Sequence, residues 1–116
     1  MRPEESWQKQ FNREIFQSEL ARKQGNEGKA RVCARRAASV AIAEYLDRKG
    51  LPDPGASAID RLTLLESLPE VPGDVKNAAR HLLMHVSPDH TLPQEVDLIE
   101  EARGLEQALL ESQLPE

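Results

Sequence analysis

The sequence is poor in aromatic residues and in cysteine, and it has no long hydrophobic run. Aromatic side chains make up 3% of the 116 residues, so a core must be built from Leu, Ile, Val and Ala, which suits packed helices better than a β-sandwich. Cys33 is the single cysteine, which excludes an intramolecular disulfide and is typical of a reducing compartment. No apolar segment reaches the length of a membrane span, and the N-terminus has no apolar signal region. We therefore expect a cytoplasmic protein that neither crosses a membrane nor is secreted.

Acidic residues are in excess overall, but the charge is unevenly distributed. The net charge is −5, yet residues 1–50 carry 11 Lys and Arg against 7 Asp and Glu, whereas residues 51–116 carry 4 against 13. Four cations, Lys29, Arg31, Arg35 and Arg36, stand close together near the start of a predicted helix. Their charge, added to the free N–H groups of a helix N-terminus, predicts an anion-binding site. The alternative is a solvated face, or ion pairs with the acidic second half of the chain.

Apolar residues recur with helical spacing between short segments that contain Pro or Gly, and no segment alternates with the period of a strand. The predicted helices are 4–24, 27–49, a third that begins at Ser57 and is broken at Pro69, 73–86 with Asp74 as its cap, and a last one from Pro93 to about 112. Short connections favour antiparallel neighbours. The sequence therefore predicts an all-α, up-and-down helical bundle of four to five helices in a single domain, residues 1–116.

Cysteine and histidine offer little sign of catalysis or metal binding by themselves. Cys33 lies among small apolar residues, which predicts a buried and unreactive thiol. His81 and His85 have the four-residue separation that can bind zinc from one helix face, but Leu82 stands where a zinc protease needs glutamate. We therefore predict surface or interface histidines, no metal site and no cofactor.

Arg80 and His85 form an R-x4-H string that suggests chemistry on a phosphodiester. Arginine binds phosphate oxygens with a planar fork, and histidine can move the proton. On a continuous helix the two residues would be about 140° and 7.5 Å apart. They can therefore act together only if the helix is broken between them or if a two-fold partner completes the site.

Three strings together resemble the HEPN (higher eukaryotes and prokaryotes nucleotide-binding) superfamily. They are GNEGKARVCARRAASVAIAEYL, the R-x4-H string, and the final LPQEVDLIEEARGLEQALL. The resemblance extends from about Glu19 to Leu110 and is strongest in the middle helix with its preceding glycine turn. It implies a helical bundle that forms two-fold dimers, which agrees with the homodimer that a short chain with one-sided apolar helices predicts.

The resemblance also implies residue roles and two classes of activity. Active HEPN proteins are metal-independent ribonucleases, often toxins paired with a nucleotidyltransferase-like antitoxin, and their signature is R-x4-6-H. By this pattern Arg80 is the catalytic arginine, His81 the polar residue that follows it, and His85 the catalytic histidine. Other members only bind nucleotide, RNA or a partner protein. We expect the second class, with the ribonuclease as one alternative and a structural scaffold protein as another.

Overall fold

The computed structural model describes residues 6–55, 57–84 and 97–111, and these are helical throughout apart from their connections. The five helices are α1 (Trp7–Lys23), α2 (Glu27–Lys49), α3 (Ala58–Ser67), α4 (Gly73–Leu83) and α5 (Leu98–Glu106), and α5 is continued by a π-helical segment (Gln107–Glu111). The described residues contain no strand. The predicted all-α helical bundle is confirmed.

Helix α2 is the centre of the bundle, since α1, α3, α4 and α5 all pack against it. Its bounds are those that the sequence predicts. Asn26 starts it by accepting a hydrogen bond from the Lys29 N–H through its side chain. Gly50 ends it in the left-handed conformation, with φ of 67°, which glycine adopts without steric cost.

Alanine lines the buried side of α2 and lets neighbouring helices approach closely. Five of its alanines are fully buried: Ala30, Ala34, Ala37, Ala38 and Ala41. At Ala30, α1 contacts the backbone of α2 directly: the buried Ser18 hydroxyl of α1 donates a hydrogen bond to the Ala30 carbonyl oxygen. Larger residues from the other helices complete the core, among them Leu62, Leu65, Leu82 and Leu105. The apolar residues that recur with helical spacing in α4 and α5 are buried where the structure describes them.

The structure corrects several details of the sequence-based prediction. Helix α4 ends at Leu83 rather than at residue 86, and its N-cap is Pro72, because Asp74 lies within the first turn. Helix α5 begins at Leu98 rather than near Pro93, since Asp97 is extended and caps it. Ile59, whose three-residue spacing from Leu62 is that of an apolar helix face, lies in the first turn of α3 and is nevertheless 46% exposed.

No helix among the described residues is long and apolar enough to span a membrane.

Candidate functional site

The cations predicted to bind anions lie on the part of α2 that faces away from the core. Lys29 and Arg36 are exposed and Arg31 is half-buried. None of the three makes an ion pair with a carboxylate of the described residues. They surround the exposed Val32. The helical rotation of 100° per residue separates Arg31 and Arg36 by about 140° around the helix axis. We call Lys29, Arg31, Val32 and Arg36 the cationic surface of α2.

Acids of the second half of the chain pair with other arginines. Asp53 binds Arg61 through two hydrogen bonds of 2.8 and 3.0 Å, Glu66 lies 2.9 Å from Arg80, and Asp97 lies 3.0 Å from Arg22. The structure therefore removes one alternative, pairing of the basic cluster with these acids, and leaves anion binding and a solvated face as its two interpretations. Within the described part of the chain, those acids do not neutralise the cationic surface of α2.

Arg35, the fourth predicted anion ligand, is engaged elsewhere. Its guanidinium donates hydrogen bonds to the carbonyl oxygens of Leu82 and Met84, the latter at 2.9 Å, at the C-terminal end of α4. Burial, and to a smaller extent the charge of Arg31, lowers the pKa of Arg35. Because two carbonyls at a helix end hold this guanidinium, we regard Arg35 as a capping residue of α4 rather than as a ligand-binding residue.

A groove between α2 and α3 adjoins the cationic surface and was not apparent from the sequence. It has a volume of about 490 Å³, and we call it the α2–α3 groove. Residues that line it include Glu14, Val32, Arg36, Val40, Ile59 and Arg61. Val32 and Ile59 are 42% and 46% exposed, so apolar surface lies directly beside the Arg36 guanidinium, which has no carboxylate partner among the described residues. Arg61 is less free than Arg36, since it is bound to Asp53 and to the Ser39 hydroxyl, 3.0 Å away.

The N-terminus of α2 is already occupied by side chains of the protein. The Asn26 side chain accepts the Lys29 N–H at 3.1 Å, and Glu27 in the first turn is held by Arg22 through two hydrogen bonds. A carboxylate next to the positive end of the helix dipole reduces its attraction for a further anion. Anion binding at the cationic surface must therefore depend on the side-chain charges more than on the helix terminus.

The two described residues of the R-x4-H string that carry predicted roles, Arg80 and His81, are directed toward different helices. Helix α4 ends at Leu83, between Arg80 and His85, and His85 lies outside the described residues. The Arg80 guanidinium is directed toward α3, where it binds Glu66, and it also contacts the Asn77 side chain. His81 is directed instead toward α5, with its Nδ1 atom 3.3 Å from Glu101 Oε1. The geometry of that contact is not that of a hydrogen bond, and Nδ1 is buried without a hydrogen-bond partner in the described part of the chain.

Cys33 is buried, as predicted, and its surroundings hold it in the neutral form. Burial is the main cause that raises the pKa of the thiol, and Glu14 raises it further, against the smaller opposing charges of Arg36 and Lys29. A thiol is nucleophilic as the thiolate. The environment of Cys33 therefore does not activate it. The described residues also contain no group of three or more His, Cys, Asp or Glu side chains that could hold a metal ion.

Asp97 connects the start of α5 to α1. Its carboxylate accepts the Ile99 N–H at 3.0 Å and the Arg22 guanidinium at 3.0 Å. Burial alone would raise the pKa of Asp97, but the hydrogen bonds from Arg22 and from the backbone N–H groups of Glu100 and Ile99 outweigh it and lower the pKa below its ordinary value.

Replacing Asp97 with Asn is expected to destabilise the protein at neutral pH and to have little effect in acid. Asn preserves the helix cap but removes the charge that pairs with Arg22. Because the folded pKa is lowered, the charge contributes stability that is present above the ordinary Asp pKa of about 4 and is lost as pH falls through the folded value. We expect D97N to lower the free energy of unfolding by about 0.5–1 kcal/mol near pH 7, a figure reduced by solvent screening. Urea denaturation near pH 7 and near pH 3 measures this, and a pH-independent difference would contradict it.

Comparison of the chain with protein-family models, with curated proteins and with solved structures finds no match.

Proposed function

We propose that the protein is a helical module that binds RNA or nucleotides through the cationic surface of α2, a function of the kind that the resemblance to HEPN proteins implies. The observation that carries the proposal is that Lys29, Arg31 and Arg36 have no carboxylate partner among the described residues, although the chain is acidic overall. Unpaired cations that cluster on one helix are an electrostatic footprint for phosphate.

The side chains of this surface suit a phosphate next to a less polar group. Arg36 can hold phosphate oxygens with its planar fork, and Lys29 adds a point charge about two helical turns away. Val32 and Ile59 are exposed beside Arg36 in the α2–α3 groove and can contact the apolar face of a base. The charge of −9 on residues 51–116 opposes a polyanion at long range. We therefore expect dissociation constants of about 1 μM or weaker at physiological salt.

Fluorescence-polarisation binding of a short single-stranded RNA at two salt concentrations tests this function. We expect Arg31→Gln/Arg36→Gln to weaken binding about tenfold and to reduce the slope of log affinity against log salt by about 1.4, since two phosphate contacts are lost. Arg35 is left unchanged, because its substitution would disturb α4.

Arg48→Gln is the matched control for this experiment. Arg48 lies on the same helix, but it is paired with Glu44 at 2.9 Å and lies over the Trp7 ring. Its removal should leave RNA affinity nearly unchanged. If the double variant binds like the wild type, or if Arg48→Gln weakens binding equally, the cationic surface is not the binding site.

A metal-independent ribonuclease that uses Arg80 and His85 is the second candidate function. The end of α4 at Leu83 favours it, since the two residues need not lie 140° apart on one continuous helix. Against it, Arg80 is bound to Glu66 and would have to leave that carboxylate to reach a substrate.

RNA cleavage in the presence of a chelator distinguishes the two functions. If the protein is a ribonuclease, His85→Ala should lower the rate by a factor of about 100 or more, as expected for loss of a general acid or base, and Arg80→Ala should lower it similarly. Arg48→Gln is again the control. Wild-type protein that binds RNA without cleaving it supports the binding module, and protein that neither binds nor cleaves RNA supports the scaffold alternative.

A further inference from the structure

Glu14 is the single acid among the described residues that line the α2–α3 groove. It reaches the groove from α1, is half-buried, and makes no ion pair with a described residue. Burial raises the pKa of the Cys33 thiol most, Glu14 raises it further and Arg36 opposes this, so both charges lie near the same side chain. The groove therefore contains an acid and a base that are close to each other without being paired.

Two opposite charges that are not paired in the wall of one groove suit a ligand with both an anionic group and N–H donors. Arg36 can bind phosphate oxygens, whereas an ionised carboxylate such as that of Glu14 accepts hydrogen bonds and donates none. A nucleotide carries both kinds of group. Lys29 and Arg31 extend the positive charge along α2, so a chain with several phosphates fits this surface better than a small zwitterion with one anionic group.

The size and the apolar residues of the α2–α3 groove agree with a nucleotide base as the part of the ligand that enters it. Its volume of about 490 Å³ lies within the range of pockets that hold small molecules. Val32 and Ile59 offer exposed apolar surface to the face of a base. The polar edge of that base then meets the remaining side chains of the wall, in which Glu14 is the one carboxylate among the described residues.

We propose that Glu14 selects guanine in the α2–α3 groove by accepting hydrogen bonds from N1–H and from the exocyclic N2 amino group of the base. These two donors lie side by side on one edge of guanine and match the two oxygens of a carboxylate. Adenine and cytosine present an amino donor beside a ring acceptor, and uracil presents a single N–H between two carbonyl oxygens, which repel a carboxylate. The inference rests on the proposed RNA binding and names the base that this surface prefers.

Fluorescence polarisation with three short single-stranded RNAs tests the base preference. The RNAs are oligouridine, the same oligomer with one guanosine, and the same oligomer with inosine in place of that guanosine. Inosine keeps N1–H but lacks the exocyclic amino group. We expect the wild type to bind the guanosine oligomer about tenfold more tightly than oligouridine, with the inosine oligomer between them. Glu14→Gln should remove this preference without weakening the binding of oligouridine, because it removes a negative charge from the groove.

Glu19→Gln is the matched control for Glu14→Gln. It makes the same substitution on the same helix and removes the same charge, but Glu19 is paired with Arg103 and does not line the α2–α3 groove. It should keep the guanosine preference. Arg31→Gln/Arg36→Gln should instead weaken the binding of all three RNAs by the same factor, since it removes phosphate contacts. Circular dichroism of each variant checks that the helices remain folded.

The outcomes separate this inference from the proposed function. A wild type that binds the three RNAs with equal affinity would overturn the guanine preference and leave RNA binding standing, and this comparison needs no substitution. The preference would also be refuted if Glu14→Gln retained it, or if Glu19→Gln lost it to the same extent. A wild type that binds none of the three RNAs would overturn both the proposed function and the role of Glu14.

Discussion

Arg35→Met is expected to destabilise the protein far more than the same change at the adjacent Arg36. Arg35 donates hydrogen bonds to the Leu82 and Met84 carbonyl oxygens, and these are groups at a helix end that have no partner within the helix. Met preserves the aliphatic stem but cannot donate. We expect the free energy of unfolding to fall by about 2 kcal/mol, which corresponds to a decrease in Tm of about 8 °C.

Arg36→Met is the control for this prediction. The two arginines are sequence neighbours on the same helix, but Arg36 is exposed and bonds to no described residue, so its replacement should change stability by less than about 0.5 kcal/mol. Thermal denaturation followed by circular dichroism measures both variants. Equal effects would show that Arg35 does not hold the end of α4. RNA affinity should show the opposite order: Arg36→Met should weaken RNA binding more than Arg35→Met does, because Arg36 is the residue proposed to bind RNA.

Ala34→Leu is expected to have the largest effect on stability, about 3 kcal/mol. Ala34 is fully buried and lies one turn beyond Ala30, on the side of α2 where the Ser18 hydroxyl of α1 reaches the backbone. Helices that approach closely over alanine leave no room for a longer side chain. Leucine must therefore push the helices apart or adopt a strained rotamer, and the protein loses contacts in either case.

Ala43→Leu is the control for overpacking on α2. Ala43 is only partly buried and lines a groove on the outer side of the helix, so the added atoms can extend into solvent. We expect a change of less than about 0.5 kcal/mol, measured by urea denaturation alongside Ala34→Leu. A similar loss in both variants would indicate that the substitution harms the helix itself rather than its packing.

Local sequence patterns were sufficient to predict the elements of the fold. The bounds of α2 follow from Asn26 as a cap and from Gly50 as a left-handed end, both of which act within a few residues of the backbone that they terminate. The buried apolar residues of α4 and α5 follow from helical spacing, and the burial of Cys33 follows from its small apolar neighbours. The start of α5 was misjudged because Pro93 and Asp97 are both good starting residues.

The roles of the arginines depended on contacts between residues far apart in the chain. Arg31, Arg35 and Arg36 look alike in the sequence, yet only Arg35 meets the end of α4, 47 and 49 residues away along the chain. Both Arg35 and Arg36 stand beside buried alanines, so the sequence around them does not separate their roles.

The sequence by itself therefore determined the helices, their buried faces and the presence of a local excess of positive charge. These properties depend on residues within one or two turns of one another, and the helical period makes them visible. Only the tertiary structure decided which cations have no carboxylate partner among the described residues, that a groove adjoins the cationic surface of α2, and that Arg80 and His81 are directed toward different helices. Those properties depend on which acids and carbonyl groups the packing of the helices brings within hydrogen-bond distance, and no local pattern encodes that.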